Sequence, residues 1–289
     1  MKTSEIQIRD PFVYVENGTY YLYGSTDKNV WTGKGTGFDC YTGTDLENWT
    51  PHGNVLDRPE GFWGVYNFWA PEMHAYKGKY YLFASFLGEN TKRGTVILKA
   101  DSPLGPFRPW SWSAVTPADW MSLDGTLYVE DGKPYIVFCH EWVQTKDGEM
   151  CVMPLTEDLS APAGEPELLF RASQCPWATN ITGDPSNPGY VTDGPNMYRM
   201  KDGTLLMLWS TGSPNGYAIG CARSASGSII GPWSIDPEPL FDKDGGHGMI
   251  FRGLDGILRL TIHTPNNSPE ERAVFLEIAE ENGKLKIVK

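Results

Sequence analysis

The 289-residue chain contains no run approaching the ~18 apolar residues needed to cross a bilayer. Its opening segment, MKTSEIQIRD, lacks the apolar stretch of a secretory leader. The expectation from both absences is a cytoplasmic protein without a membrane partner. No Lys/Arg run exceeds the pair Lys92-Arg93, and the formal net charge is -12, so a phosphate backbone would be repelled and nucleic acid is disfavoured as a partner. Cysteine is scarce: Cys40, Cys139, Cys151, Cys175 and Cys221 form an odd set with no CxxC and no Cys/His metal spacing. That pattern fits reduced, buried thiols and argues against a disulfide framework.

What is abundant is punctuation. With 32 Gly and 22 Pro, the chain favours many short strands joined by turns over long helices. One small pattern occurs five times, a Gly turn followed by a β-rich run: ENGTYYLYGS, YKGKYYLFAS, EDGKPYIVFC, KDGTLLMLWS and LDGILRLTIH, around Gly18, Gly78, Gly132, Gly203 and Gly256. Each reads as a two-residue hairpin, because Asn-Gly and Asp-Gly tolerate positive φ and the residues that follow suit a pleated strand. Spacings of 60, 54, 71 and 53 residues leave room for four short strands per unit. Four-stranded units repeated about an axis are the blades of a propeller. ADSPLGPFRPW and ARSASGSIIGPWS resemble each other after an expected third strand, which supports duplication. A β-sandwich or a pair of smaller β domains is the alternative. No linker interrupts the chain, so the expected architecture is all-β, a single five-bladed β-propeller domain over residues 1–289 with four-stranded antiparallel blades.

The strand before each hairpin is expected to be innermost, with its first residues at the mouth of the axial channel. Asp10, Glu72, Asp124, Asp193 and His247 stand there, six to ten residues before the turn glycines. Gathering like charges raises their proton affinity and opposes folding, which points to function. Carboxylates of unequal pKa are what glycoside hydrolysis requires, a protonated one for the leaving oxygen and an ionised one to activate water or attack carbon. Trp69, Trp63, Phe68, Trp142 and Trp120 offer faces for a sugar ring, although most aromatics are expected to fill the core.

The ordered set RDP, WAPE, LDG, T-acid-GP and GHG resembles glycoside hydrolase family 43, the clan of five-bladed arabinofuranosidases and xylosidases, over essentially the whole chain. The resemblance implies that Asp10 is the general base, that Asp124 tunes pKa and orients, and that Asp193 is the proton donor. The family's donor is a Glu in a TEGP-like context, whereas VTDGPNMY carries Asp193, one methylene shorter. Glu141 in CHEW, after the second strand of the third blade, is therefore a second candidate donor; otherwise it is a carboxylate binding sugar hydroxyls. His140, Trp142, Trp69 and Glu72 are the accompanying substrate-binding candidates. Arg223 and Arg93 are candidate hydroxyl ligands, set against the commoner solvated arginine. His247 in GGHGM resembles the family's axial histidine, which implies a hydrated Ca2+ or Na+ ion facing it, with no cofactor required for the chemistry.

The resulting expectation is an inverting glycosidase releasing terminal pentofuranosyl or xylosyl residues from oligosaccharides or plant-polysaccharide fragments. The competing one is an inactive carbohydrate-binding propeller in which Asp193 no longer donates. The loops 26–45 and 171–192, rich in turn residues, are expected to decide whether cleavage is terminal or internal.

Overall fold

The computed structural model describes residues 1–288 and shows five four-stranded antiparallel sheets, each laid down in chain order. The first blade is β1 (Arg9–Glu16), β2 (Thr19–Ser25), β3 (Asp39–Gly43) and β4 (Thr50–Asn54). The second is β5 (Gly64–Tyr76), β6 (Lys79–Gly88), β7 (Gly94–Ala100) and β8 (Arg108–Pro109), and the third is β9 (Ser122–Glu130), β10 (Lys133–His140), β11 (Glu149–Pro154) and β12 (Glu167–Arg171). The fourth is β13 (Asp193–Arg199), β14 (Leu205–Ser213), β15 (Gly216–Ser224) and β16 (Trp233–Ile235), and the fifth is β17 (Gly246–Arg252), β18 (Leu258–Thr264), β19 (Arg272–Glu281) and β20 (Lys284–Ile287).

The innermost strands β1, β5, β9, β13 and β17 touch in cyclic order, and β17 returns to β1, so the molecule is a five-bladed β-propeller. Apolar clusters seal each blade against the next. Phe38 and Phe68 meet Phe86 between the first two blades, Phe83 and Phe138 share a buried cluster between the second and third, and Met207 and Trp209 share one with Val137 between the third and fourth. Ile219 meets Ile262 between the fourth and fifth. Among the described residues no strand is exchanged where the ring closes. The closure rests on Ile6 and Ile8, buried in the same cluster as Phe251 and Ala273 of the last blade, and on the Arg272 Nε–H donating to the Ser4 carbonyl at 2.8 Å.

Three of the five expected hairpins are two-residue turns with both residues at positive φ: Asn17-Gly18, Lys77-Gly78 and Asp131-Gly132. The turns at Gly203 and Gly256 are longer, with ladders that resume at Arg199↔Leu205 and Arg252↔Leu258. There the Asp202 and Asp255 side chains accept the N–H of Thr204 and Ile257, replacing a tight turn with a side-chain-capped loop. All five cysteines are free and buried.

Candidate active site

Each innermost strand carries a bulge at the channel mouth, where pairing with the second strand slips. One residue of every bulge is left-handed: Asp10 (φ 52°), Ala70 (φ 46°), Asp124 (φ 56°), Gly194 (φ 53°) and His247 (φ 43°). Such a conformation costs energy in a non-glycine residue and persists only when its surroundings hold it. The holding groups are the last residues of the sequence repeat, each reaching the bulge of the next blade. The Ser25 Oγ accepts the N–H of Ala70 at 2.8 Å, Ser85 that of Asp124 at 2.9 Å, and Ser210 that of His247 at 2.8 Å. His263 Nδ1 accepts that of Asp10 at 3.1 Å across the closure. The equivalent residue of the third blade is Cys139, and there the Gly194 N–H donates instead to Asp124 Oδ2 at 3.0 Å.

This register separates the five polar residues that had seemed equivalent. Asp10, Asp124 and His247 share the bulge position, Asp193 comes one residue earlier, and Glu72 two residues after its bulge at Ala70. Glu72 therefore sits deeper in the channel, 5% exposed, with its Oε2 3.4 Å from His74 Nε2, and does not line the pocket.

The pocket at the channel mouth has a volume of about 660 Å3 and is lined by Asp10, Asp124, Asp193, Glu141, His247, Arg9, Arg93, Trp69, Trp142 and Tyr217, among others. His247 Nδ1 lies 3.2 Å from Asp10 Oδ1 and 3.5 Å from Asp124 Oδ2. Asp10 Oδ2 accepts the Ser25 hydroxyl at 2.6 Å. Burial raises the proton affinity of Asp10, but His247, His263, Arg9 and the Ser25 hydroxyl together outweigh it and hold the carboxyl below its ordinary value. His263 is pushed down to about 3, by burial first and Arg9 second. A neutral ring is consistent with its bonds, Nδ1 accepting from Asp10 and Nε2–H donating to Asn266 Oδ1 at 3.1 Å.

Asp193 behaves oppositely. Burial, then the negative charge of Asp124, push it up to about 7, against the pull of His247 and of the Tyr217 hydroxyl, which donates to its Oδ2 at 2.9 Å. Asp124 is raised well above the ordinary range by burial and by Asp10, and the Gly194 N–H opposes this only in part. Glu141 is raised by burial, with the guanidinium of Arg93 pulling the other way through a buried hydrogen-bonded ion pair. Arg93 also donates to Asn67 Oδ1 at 3.0 Å and stacks on Trp69 at 4.2 Å.

Further sequence candidates lie elsewhere. Arg223 on β15 is bound by both carboxylate oxygens of Asp236, at 2.6 and 2.8 Å, and by the Gly283 carbonyl, on the outer part of the blade. His140 stacks on Trp120 at 4.0 Å and its Nδ1 faces Glu149 Oε2 at 2.9 Å, behind the pocket wall rather than in it. Trp63 packs on Phe62 and Phe86, and Phe68 is core. The sequence reading missed Arg9, Trp31, Tyr217 and His263. Arg9 is the arginine of RDP itself, and His263 closes the fifth copy of the repeat, so both carried a signal.

Among the described residues no three His, Cys, Asp or Glu side chains are grouped as metal ligands. His247 Nδ1 faces two carboxylates that also serve Ser25 and Gly194. The residues present do not fit a metal held by protein side chains, and no step below is routed through one.

An axial pocket in which one acid is kept ionised and another protonated near neutrality defines a glycoside-hydrolysing enzyme. The chain belongs to glycosyl hydrolases family 43, whose family profile matches residues 3–280. It is similar to a solved endo-arabinase from Bacteroides thetaiotaomicron, with a TM-score of 0.90, 42% identity and 98% of each chain covered. It is also similar to the extracellular endo-α-(1→5)-L-arabinanase 1 of Bacillus subtilis, 24% identical over 265 residues, covering 86% of this chain and 73% of that one. A third relative is the extracellular exo-α-(1→5)-L-arabinofuranosidase of Streptomyces chartreusis, 26% identical over 192 residues, 60% of this chain and 52% of that one. The chain spans about half the length of a xylosidase/arabinosidase of Bacteroides ovatus.

Proposed function

We propose that this glycosidase cleaves internal α-(1→5) linkages of arabinan with inversion, Asp10 acting as general base and Asp193 as proton donor. The observation that carries the mechanism is that one pocket holds both carboxyls in opposed surroundings, Asp10 against the Ser25 hydroxyl and His247, Asp193 buried beside Asp124 with the Tyr217 hydroxyl only partly offsetting, so that proton affinity is lowered at the first and raised at the second. Ionised Asp10 takes a proton from a water attacking the anomeric carbon, while neutral Asp193 gives its proton to the departing oxygen. Bound to Arg93, Glu141 is suited to fixing the guanidinium against the sugar rather than to donating. Asp124 binds the Gly194 N–H and thereby orients the backbone next to Asp193.

Arabinan is favoured by the 42% identity to an endo-arabinase over the full chain, and internal cleavage by the same relative together with a rim that is apolar and exposed on several sides, at Trp31, Val143 and Ile181. This departs from the terminal cleavage expected from sequence. The test is the early product profile on linear α-(1→5)-arabinan. Oligomers of mixed length and a fast fall in viscosity are expected. Arabinose alone from the first minutes would return the reading to terminal cleavage, and turnover of xylo-oligosaccharides with arabinan untouched would overturn the substrate.

A further inference from the structure

A short acid makes a demanding donor: Asp193 has one methylene fewer than glutamate, so the position of its carboxyl depends on what grips it. One side-chain group is recorded holding it, the Tyr217 hydroxyl at 2.9 Å from Oδ2. Tyr217 is 8% exposed and is itself fixed on every side. Its N–H donates to Asp244 Oδ1 at 3.2 Å, its carbonyl accepts the Gly245 N–H at 2.9 Å, and its ring stacks on His263 with centroids 5.7 Å apart and planes inclined by 22°. A Cβ on Gly246 would sit 2.8 Å from the Tyr217 Cε1, so the absence of a side chain there makes room for the ring.

We propose that Tyr217 is the positioning residue that makes Asp193 an effective donor, by holding Oδ2 so that Oδ1 carries the proton toward the glycosidic oxygen. The inference rests on the assignment of Asp193 as donor. Tyr217 keeps its own proton throughout. In the step, the Oδ1–H bond breaks as the O–H bond of the leaving alcohol forms and the C–O bond opens; the water oxygen binds the anomeric carbon and its proton passes to Asp10. The charged and titratable groups around this pair are Asp124 on β9, Asp10 on β1, His247 on β17, His263 on β18 and Asp244 ahead of β17. The neutral thiol of Cys139 completes the set from β10.

A positioning role and a merely structural one differ in how they depend on the leaving group. An arabinofuranosyl linkage needs a proton from the enzyme, whereas 4-nitrophenolate departs without one. Tyr217→Phe is expected to reduce kcat on arabino-oligosaccharides by roughly 10- to 100-fold while changing kcat on the 4-nitrophenyl glycoside of an α-(1→5)-arabino-oligosaccharide by less than about threefold. Asp193→Ala should show the same selectivity more strongly. Gly246→Ala crowds the ring, but its Cβ would also sit 2.9 Å from Ser210 Oγ, which holds the His247 N–H, so it should lower activity on both substrates. Equal loss on both substrates in Tyr217→Phe, in a protein whose circular dichroism is unchanged, would overturn the positioning role. If Asp193→Ala itself lacks the selectivity, the donor assignment fails first and Tyr217 falls with it.

Discussion

Asp10 and Asp193 are the same side chain in two environments. Asp10 has the Ser25 hydroxyl, the Arg9 guanidinium and two imidazoles beside it, whereas Asp193 is buried next to Asp124, with the Tyr217 phenol and His247 only partly offsetting. Asp10→Asn should lower kcat/KM by roughly 10^2- to 10^4-fold, the usual worth of a general base, and should lower the thermal transition at neutral pH, because the partners that depress the Asp10 carboxyl stabilise its ionised form in the fold. The pH profile of kcat/KM should fall on the acid side below the ordinary carboxylate value and on the alkaline side near 7. The linkage has a definite sign: Asp193 is raised in the fold, so ionising it opposes folding, and stability is lost as pH rises from about 4 through about 7. Asp193→Asn should therefore raise the melting temperature at pH 8 and leave it unchanged at pH 4. A melting temperature that shifts equally at both would remove the argument for a buried, proton-retaining donor. Chelation should leave the rate unchanged, and a loss restored by Ca2+ would place a hydrated cation on His247.

At the scale of the element, the unit that builds the site is a bulge on one blade tied to the end of the repeat on the previous blade. Ser25 does both jobs for the base, accepting the Ala70 N–H and donating to Asp10. Ser25→Ala leaves that N–H buried without a partner, at about 1–3 kcal/mol, and should move the acid limb of activity upward because a donor to the Asp10 carboxylate is lost. Gly194→Ala adds a Cβ at positive φ, 2.6 Å from His247 Cδ2, and should lower activity with a loss of about 1–3 kcal/mol. Titration calorimetry and denaturant melts separate the two effects. The acids were legible in the sequence because each stands six to ten residues before a hairpin glycine. Their inequality was not, because a bulge inserts a residue that spacing alone cannot show, and this displaced Glu72 and set Asp193 apart. The serines, cysteine and histidine ending the repeat were present in the motif, but their role appears only when neighbouring blades are side by side.

At the scale of the molecule, blade number followed from the repeat, since five copies with room for four strands permit little else. The pocket wall followed in part: Arg93, Glu141 and Trp69, from three separate segments, line it, whereas Arg223 found Asp236 within its own blade and Arg9, Trp31 and Tyr217 went unnamed. Closure without strand exchange makes the first residues structural: Ile6 and Ile8 are buried and bridge to the last blade. Removing residues 1–8 should lower the melting temperature by about 10 °C or more, from the loss of two core side chains, and an unchanged melting curve would mean that the ring is closed by other contacts.

The central claim is that one carboxylate activates water while another protonates the leaving oxygen. Proton NMR of the wild-type enzyme on α-(1→5)-arabino-oligosaccharides, followed from the first minutes, reads it directly. The first-formed product should carry the inverted anomeric configuration before mutarotation mixes the two. A first product with retained configuration would require a covalent intermediate and would contradict the assignment of Asp10 as a base.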